Sequence, residues 1–269
     1  MISVLTVNYR SADQLFGLSK SLRLHAGGLP VELVITNNSP AESLAGVGGP
    51  PLTVIHRDAR NVGFAAGINV AYQASHGEVL MITNPDVRVT AGALCKAVDY
   101  LSAHPEVGVV LPLLLYPSGE VQLSVRRFYT WPVALYARCP LRAIGLRPGF
   151  FRRYLCEDLD RSRPTPVDWG LGGAMFLRRR DCDRAGVFDE RFFMYFEDVD
   201  LCYRMWRRGR PVMYCPHIEC IHEHRRSSRN PFTLHGWRHF RSLLHFVWKY
   251  RGFPRPPSAA TDLAHMRMD

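Results

Sequence analysis

The run from Phe188 to Asp200, FDERFFMYFEDVD, sets five carboxylates among aromatic rings. Apolar burial raises the pKa of a carboxylate and mutual repulsion raises it further, which is the tuning a general base requires. Glu197, Asp198 and Asp200 also suit the first turn of a helix running to Arg208 and closed by Gly209. The two readings are compatible, because a helix start is a good mount for a catalytic carboxylate. A second acidic candidate is Asp86, in Asn84-Pro85-Asp86. There Pro85 bends the chain just past a strand and one carboxylate enters a cleft. That arrangement suits Mg2+ or Mn2+ shared with water and a substrate diphosphate. Asn-Pro-Asp is also ordinary turn chemistry.

Three other stretches carry chemistry-bearing residues. In NVGFAAGIN, residues 61–69, the side chains of Asn61 and Asn69 flank Gly63, Phe64 and Gly67. The glycines allow close backbone approach, and the helix that follows offers amides to a phosphate. The string is not the G-x-G-x-x-G dinucleotide fingerprint. Cys215, His217, Cys220, His222 and His224 form a ligand-like cluster without the C-x-x-C and H-x3-H spacings of structural zinc sites. In a strand His222 and His224 share one face and Cys215 and His217 another; His222 is the one expected in the cleft, with the remainder as packing or surface. Finally, VDWGLGGA at 167–174 offers Trp169 as a platform for a sugar ring, with Gly172 and Gly173 leaving room. The competing reading is a core tryptophan on a glycine-tolerant strand.

Short aliphatic runs alternating with amphipathic segments supply the scaffold. Strands are expected at Ile2–Asn8, Val31–Thr36, Leu52–His56 and Val79–Thr83. Helices are expected at Asp13–His25 and Gly67–Ser75, with a third capped by Thr90 and running to Ala103. Such alternation predicts an α/β fold with a mostly parallel sheet flanked by helices. Ligands then bind beyond the carboxyl ends of the strands, where Asn8-Tyr9, Thr36-Asn37 and Thr83-Asn84 lie. Past Pro117 the pattern changes, with a turn at 117–120 and an Arg-, Pro- and aromatic-rich stretch to Pro166. A strand near Ala174–Arg178, short strands at Val212–Cys215 and Ile218–His222, and a helix between Pro231 and Tyr250 follow. Residues 1–116 thus read as an α/β half and 117–253 as a layer completing the site it begins, with a disordered tail at 254–269.

The chain has 269 residues and a formal net charge of +10, a balance suited to anionic partners. Its seven cysteines form no framework, no charged leader precedes an apolar segment, and the apolar stretch Val107–Tyr116 is too short to span a bilayer. A reduced, cytoplasmic protein is the expectation. The Arg-rich segment Arg126–Arg163 and a helix bearing Phe240, Phe246, Trp248, Lys249 and Arg251 suggest peripheral contact with the anionic inner face of the cell membrane.

Taken in order, Val7–Arg10, Asn37–Ser39, the 61–69 loop, Asn84–Val87, Trp169–Ala174 and Phe188–Asp200 resemble glycosyltransferase family 2 and its rhamnosyltransferase-like branch. The resemblance spans roughly residues 2 to 230 and implies a GT-A fold with C-terminal acceptor-site elements, 1–116 being the nucleotide-sugar-binding half and 117–253 the acceptor-binding and catalytic half of one domain. It implies a metal-dependent, inverting transferase that acts on a nucleotide-sugar donor, with dTDP-L-rhamnose the first candidate and UDP sugars open. The acceptor it implies is a surface glycan or lipid-linked saccharide. By position, Asp198 would be the base, Asp86 the metal ligand, and Asn84 the replacement for a first carboxylate. Asn8, Tyr9, Thr36 and Asn37 would cradle the nucleoside, Glu197 would line the acceptor side, and His222 would reach the metal or diphosphate. Thr36 departs from the family, which carries Asp there; its hydroxyl lacks that charge. A sugar-nucleotide pyrophosphorylase lacks its triphosphate-binding loop here. A basic nucleic-acid-binding protein would leave the carboxylates at the strand ends unexplained, so no nucleic-acid partner is expected.

Overall fold

The aliphatic runs read from the sequence form one side of a nine-stranded sheet. β1 (Ile2–Asn8) and β2 (Val31–Asn37) are buried along their whole length and pair in parallel, so that Asn8 and Asn37 end flush. β3 (Leu52–Arg57) continues that edge in parallel, and β4 (Val79–Thr83) lies on the other side of β1. α1 (Ala12–His25) connects β1 to β2 and α2 (Phe64–Gln73) connects β3 to β4, while α3 (Ala93–Ala103) comes after the next strand. The computed structural model describes residues 1–48, 52–57, 60–137, 139, 145–185, 187–223 and 234–253. The expected tail at 254–269 and His224 lie outside them.

The second half is woven into the first. β5 (Val87–Val89) and β6 (Val109–Leu115) are followed by β7 (Val125–Arg126), α4 (Trp131–Tyr136), α5 (Gly149–Tyr154), β8 (Thr165–Pro166) and β9 (Trp169–Gly170). Then come β10 (Ala174–Arg178), α6 (Arg179–Ala185), α7 (Glu197–Arg207), β11 (Val212–His222) and α8 (Leu234–Tyr250). The sheet order is β3-β2-β1-β4-β10-β6-β11-β5, with β8 beside β11 and β7–β9 forming a separate ribbon. β10 is antiparallel to both its neighbours, so it inserts a reversed strand into an otherwise mainly parallel sheet.

Strand alternation then builds two cores. Leu5 and Val7 of β1, with Met175 and Leu177 of β10, join α2, α7 and α8 on one face. Ile2, Val4, Ala174 and Phe176 join α1 and α3 on the other.

Three expectations change in detail. The two short strands at 212–222 are one strand, β11, with a register shift between Cys215 and Glu219. Thr90 does not cap α3; its hydroxyl donates to the Glu219 carbonyl at 2.8 Å, and left-handed Gly92 holds the cap position. α2 starts at Phe64, because Gly63 takes φ +92° and turns the chain into the helix earlier than the hydrophobic period indicated.

Candidate active site

The five carboxylates of the acidic run divide by partner. Asp200 is fully buried and accepts from Arg204 Nε at 2.8 Å, Lys249 Nζ at 2.5 Å and the Tyr250 hydroxyl at 2.6 Å. Asp189 accepts from Lys249 at 2.9 Å and is bound twice by the Arg191 guanidinium. Burial opposes ionisation there, but these bonds outweigh it and hold Asp189 well below the usual carboxylate range. Glu190 accepts from Asn69 at 2.9 Å. These three fasten the segment to α2 and α8.

Glu197 and Asp198 form no ion pair with a cation among the described residues. Asp198 is 8% exposed. Its Oδ2 accepts from Gly172 N at 3.0 Å and its Oδ1 from Val199 N at 2.8 Å. Burial pushes its carboxyl up to about 6, opposed by those two backbone bonds and by the charge of Arg126. Burial and then the neighbouring Asp198 charge push Glu197 well above the ordinary range. Its Oε2 is buried with no hydrogen-bond partner among the described residues. The pair is aimed by Tyr195 and Phe196, which take φ +69° and +68° in succession just before α7. Left-handed backbone in non-glycine residues costs about 1–2 kcal/mol each. Packing of the buried Phe196 ring against Tyr129 (5.0 Å) and Phe246 (5.4 Å) holds it there.

Gly172 and Gly173 bring the second acidic candidate to the same place. Gly173 O accepts from Asn84 N at 2.9 Å and from the Thr83 hydroxyl at 2.8 Å, which docks the Asn84–Asp86 turn against the residue next to Asp198's partner. Asp86 Oδ1 then lies 3.3 Å from His222 Nε2. A side chain at Gly173 would meet the His222 ring at 3.1 Å and Leu114 at 2.9 Å, so the close approach needs glycine.

Buried Gln122 sets the orientation of His222. Gln122 Nε2 donates to the His222 carbonyl at 2.5 Å and the Leu115 carbonyl at 3.3 Å, which leaves Oε1 to accept from His222 Nδ1 at 3.0 Å. In the neutral ring this network puts the proton on Nδ1 and turns the Nε2 lone pair toward the Asp86 carboxylate. Two electron-rich atoms facing each other fit a shared divalent cation. No three His, Cys, Asp or Glu converge on one point among the described residues. A cation there would draw its remaining ligands from water and a diphosphate. Of the cysteine–histidine cluster, Cys215 and Cys220 are buried while His217 is exposed, so these do not meet.

The strand ends give a mixed result. Asn37 Nδ2 and Asn38 Oδ1 are buried without a partner among the described residues, the mark of groups kept for a ligand. Tyr9 is exposed beside them, with Arg10 over its ring at 5.5 Å. Asn8 is buried and spends its amide on Asn37, Glu42 and Ser11, so it shapes the loop.

Several expected contacts are corrected. Thr36 is buried and donates its hydroxyl to the Gly67 carbonyl at 2.7 Å, which places it under α2. Gly67 has its Cα against Val7, whose side chain a Cβ would meet at 2.7 Å. Asn61 receives Gly63 N at 2.9 Å and Asn38 Nδ2 at 3.1 Å. The first amide of α2, at Phe64, goes to the Phe193 carbonyl at 2.8 Å, so that amide is spent on protein. Asn69 bonds Phe188 through both ends of its amide. The 61–69 loop therefore clamps the acidic run onto the sheet. Trp169 is 3% exposed, stacks on Tyr129 at 5.8 Å and donates its indole N–H to the Arg127 carbonyl at 2.8 Å; it is a core residue, not a platform in the cleft. Phe246 and Lys249 also face inward. Gln122 and Asn38 are the residues missing from the sequence-based site. Gln122 carries no local signal, because His222, which it orients, lies 100 residues away.

The comparisons with known proteins agree with this architecture. A family model described as "Glycosyl transferase family 2" matches residues 3–185. The chain is 27% identical over 272 residues to N-acetylglucosaminyl-diphospho-decaprenol L-rhamnosyltransferase of Mycobacterium tuberculosis, covering 96% of this chain and 87% of that one. It is 23% identical to the low-salt glycan biosynthesis hexosyltransferase Agl10 of Haloferax volcanii, over 82% of this chain and 66% of the relative. Among solved structures, mannosyltransferase PcManGT from Pyrobaculum calidifontis, in complex with GDP-Man and Mn2+, superposes with a TM-score of 0.63 at 18% identity, covering 98% and 68% of the two chains. GalNAc-T7 with UDP, GalNAc and Mn2+ gives 0.67 at 14% identity, over 93% and 49%.

Proposed function

The chain belongs to glycosyl transferase family 2 and has the GT-A fold, and from that membership we propose a metal-dependent, inverting transfer of L-rhamnose from dTDP-L-rhamnose. The acceptor in this reading is a hydroxyl of a lipid-linked saccharide, reached at the cytoplasmic face of the membrane. The name of the Mycobacterium tuberculosis relative, which pairs L-rhamnose with N-acetylglucosaminyl-diphospho-decaprenol, supports that donor and acceptor. The observation that carries the reading is the Gly172–Gly173 pair, which touches Asp198 on one side and the Asn84–Asp86 turn on the other.

Asp198 removes the proton from the acceptor hydroxyl as that oxygen attacks the anomeric carbon. The bond from that carbon to the diphosphate breaks, its electron pair leaves with the nucleoside diphosphate, and the configuration inverts. A carboxyl raised to about 6 by burial is both ionised near neutral pH and basic enough to take the proton. Gly172 N and Val199 N hold the two oxygens of Asp198 in place. Asp86 and His222 would hold the divalent ion, which would supply positive charge to the departing diphosphate. Asn37, Asn38 and Tyr9 face the nucleoside, while Glu197 and Gly172 line the acceptor side.

The test is transfer from dTDP-L-rhamnose, and in parallel from UDP sugars, to a diphosphate-linked N-acetylglucosaminyl lipid with Mn2+, with Mg2+ or with EDTA. Expected are turnover lost in EDTA and turnover lost in Asp198→Asn with donor binding retained. Near-normal transfer by Asp198→Asn, or full activity in EDTA, refutes the assignment.

A further inference from the structure

α8 presents two faces. Inward, Leu243 and Phe246 pack in the core, Ser242 donates to the Met194 carbonyl at 2.8 Å, and Lys249 and Tyr250 bind Asp200. Outward, Trp237, Phe240, Leu244 and Trp248 are all exposed, at the three- and four-residue spacing that lines up one stripe of a helix. Trp237 is 61% and Trp248 72% exposed, and they stand about 16 Å apart along the axis. Exposed Arg241 and Arg251 flank the stripe, and the helix contains no Asp or Glu. A neighbouring element extends the patch. On α4, Trp131 (57% exposed) and Leu135 also face solvent, and Trp131 packs on Phe253 at 4.8 Å. Trp131, Trp248, Arg191, Lys249 and Arg251 line one open groove of about 720 Å³ between them.

We propose that the outer face of α8, continued by Trp131 and Leu135 of α4, lies in the interface of an anionic membrane. Tryptophan, phenylalanine and leucine interleaved with arginine suit the boundary between acyl chains and acidic headgroups, which satisfies both at once. A second copy of the same face would set arginine against arginine with no acid on the helix to compensate. The placement also serves the site. The inner side of α8 packs on the segment that leads into Glu197 and Asp198, so a membrane under the helix brings the base to an acceptor carried by lipid. No helix among the described residues is long and apolar enough to cross a bilayer, so the contact is with the surface.

The experiment is flotation of the full chain with vesicles of phosphatidylcholine alone and of equimolar phosphatidylcholine and phosphatidylglycerol, at low and high salt. The expected result is binding to the anionic vesicles at low salt, weakened by salt, with a blue shift of tryptophan emission. Combined Trp237→Ala and Trp248→Ala lowers the binding about tenfold or more, and Arg241→Glu with Arg251→Glu abolishes its dependence on anionic lipid. Circular dichroism confirms that these surface variants fold. Absence of flotation at low salt overturns the proposal. So does a concentration-dependent dimer, seen by sedimentation, that the tryptophan variants dissociate without any change in vesicle binding. Binding is measured without donor or acceptor, so this result and the transferase assay succeed or fail separately.

Discussion

Replacing Asp198 with Asn separates the chemistry of this residue from its effect on folding. Its carboxyl is raised from 3.8 to about 6 in the folded chain, chiefly by burial, while in the unfolded chain it ionises near the ordinary value. A raised folded pKa makes a contribution that is fully present below the unfolded pKa and is lost as pH rises through the folded one. A shift of about two units is worth about 3 kcal/mol. Wild-type stability should therefore lose about 3 kcal/mol between about pH 4 and about pH 7.5 through this group alone. Asparagine does not titrate, so the variant escapes that loss. Its amide can still accept from one of Gly172 N and Val199 N, but its NH2 faces the other. That mismatch costs about 1–2 kcal/mol at every pH. The diagnostic quantity is therefore the change with pH of the stability difference between variant and wild type. Urea unfolding of both proteins across that range should show the variant gaining on wild type as pH rises, by about 3 kcal/mol from this group and by the relief of Glu197, which the Asp198 charge also pushes up. Over the same range, kcat/KM of the wild type should fall as pH drops below about 6, where the base becomes protonated. A difference in stability that stays flat with pH would mean that Asp198 ionises like an exposed carboxylate, and the case for a tuned base would fail.

Two other perturbations follow from the geometry. Gln122→Met keeps bulk but removes the acceptor for His222 Nδ1, so Mn2+ affinity, titrated by electron paramagnetic resonance without any donor, should fall about tenfold or more; unchanged affinity would remove Gln122 from the site. Gly63→Ala forces a left-handed residue and sets a Cβ at 2.4 Å from the Phe193 carbonyl. It should cost about 2–4 kcal/mol in urea unfolding, and a cost below about 0.5 kcal/mol would refute the clamp.

What the sequence made legible was local. Aliphatic runs that stop at Asn8, Thr36 and Thr83 mark strand ends to within one residue without any tertiary information, and three acids in one turn mark the start of α7. What stayed hidden depends on distant partners. Asp200 is neutralised by Lys249, 49 residues away, and Asn69 is tied to Phe188, 119 residues away. The acidic run therefore could not be divided into fastening and reactive members from its own composition. The same holds for Trp169, whose indole partner lies 42 residues upstream; an aromatic beside glycines reads equally well as platform or core until that partner is known. Helix α8 was recognised with its apolar and basic residues, but their assignment to inner and outer faces required knowing where Asp200 sits.

Because β6 lies between β10 and β11 while β5 closes the far edge beside β11, a cut near residue 116 strips β5 and β6 of their sheet neighbours. Recombination among relatives at that point would part β10 and β11 from the strand that joins them, so a viable crossover falls instead between β4 and β5, where the order divides into two unbroken runs.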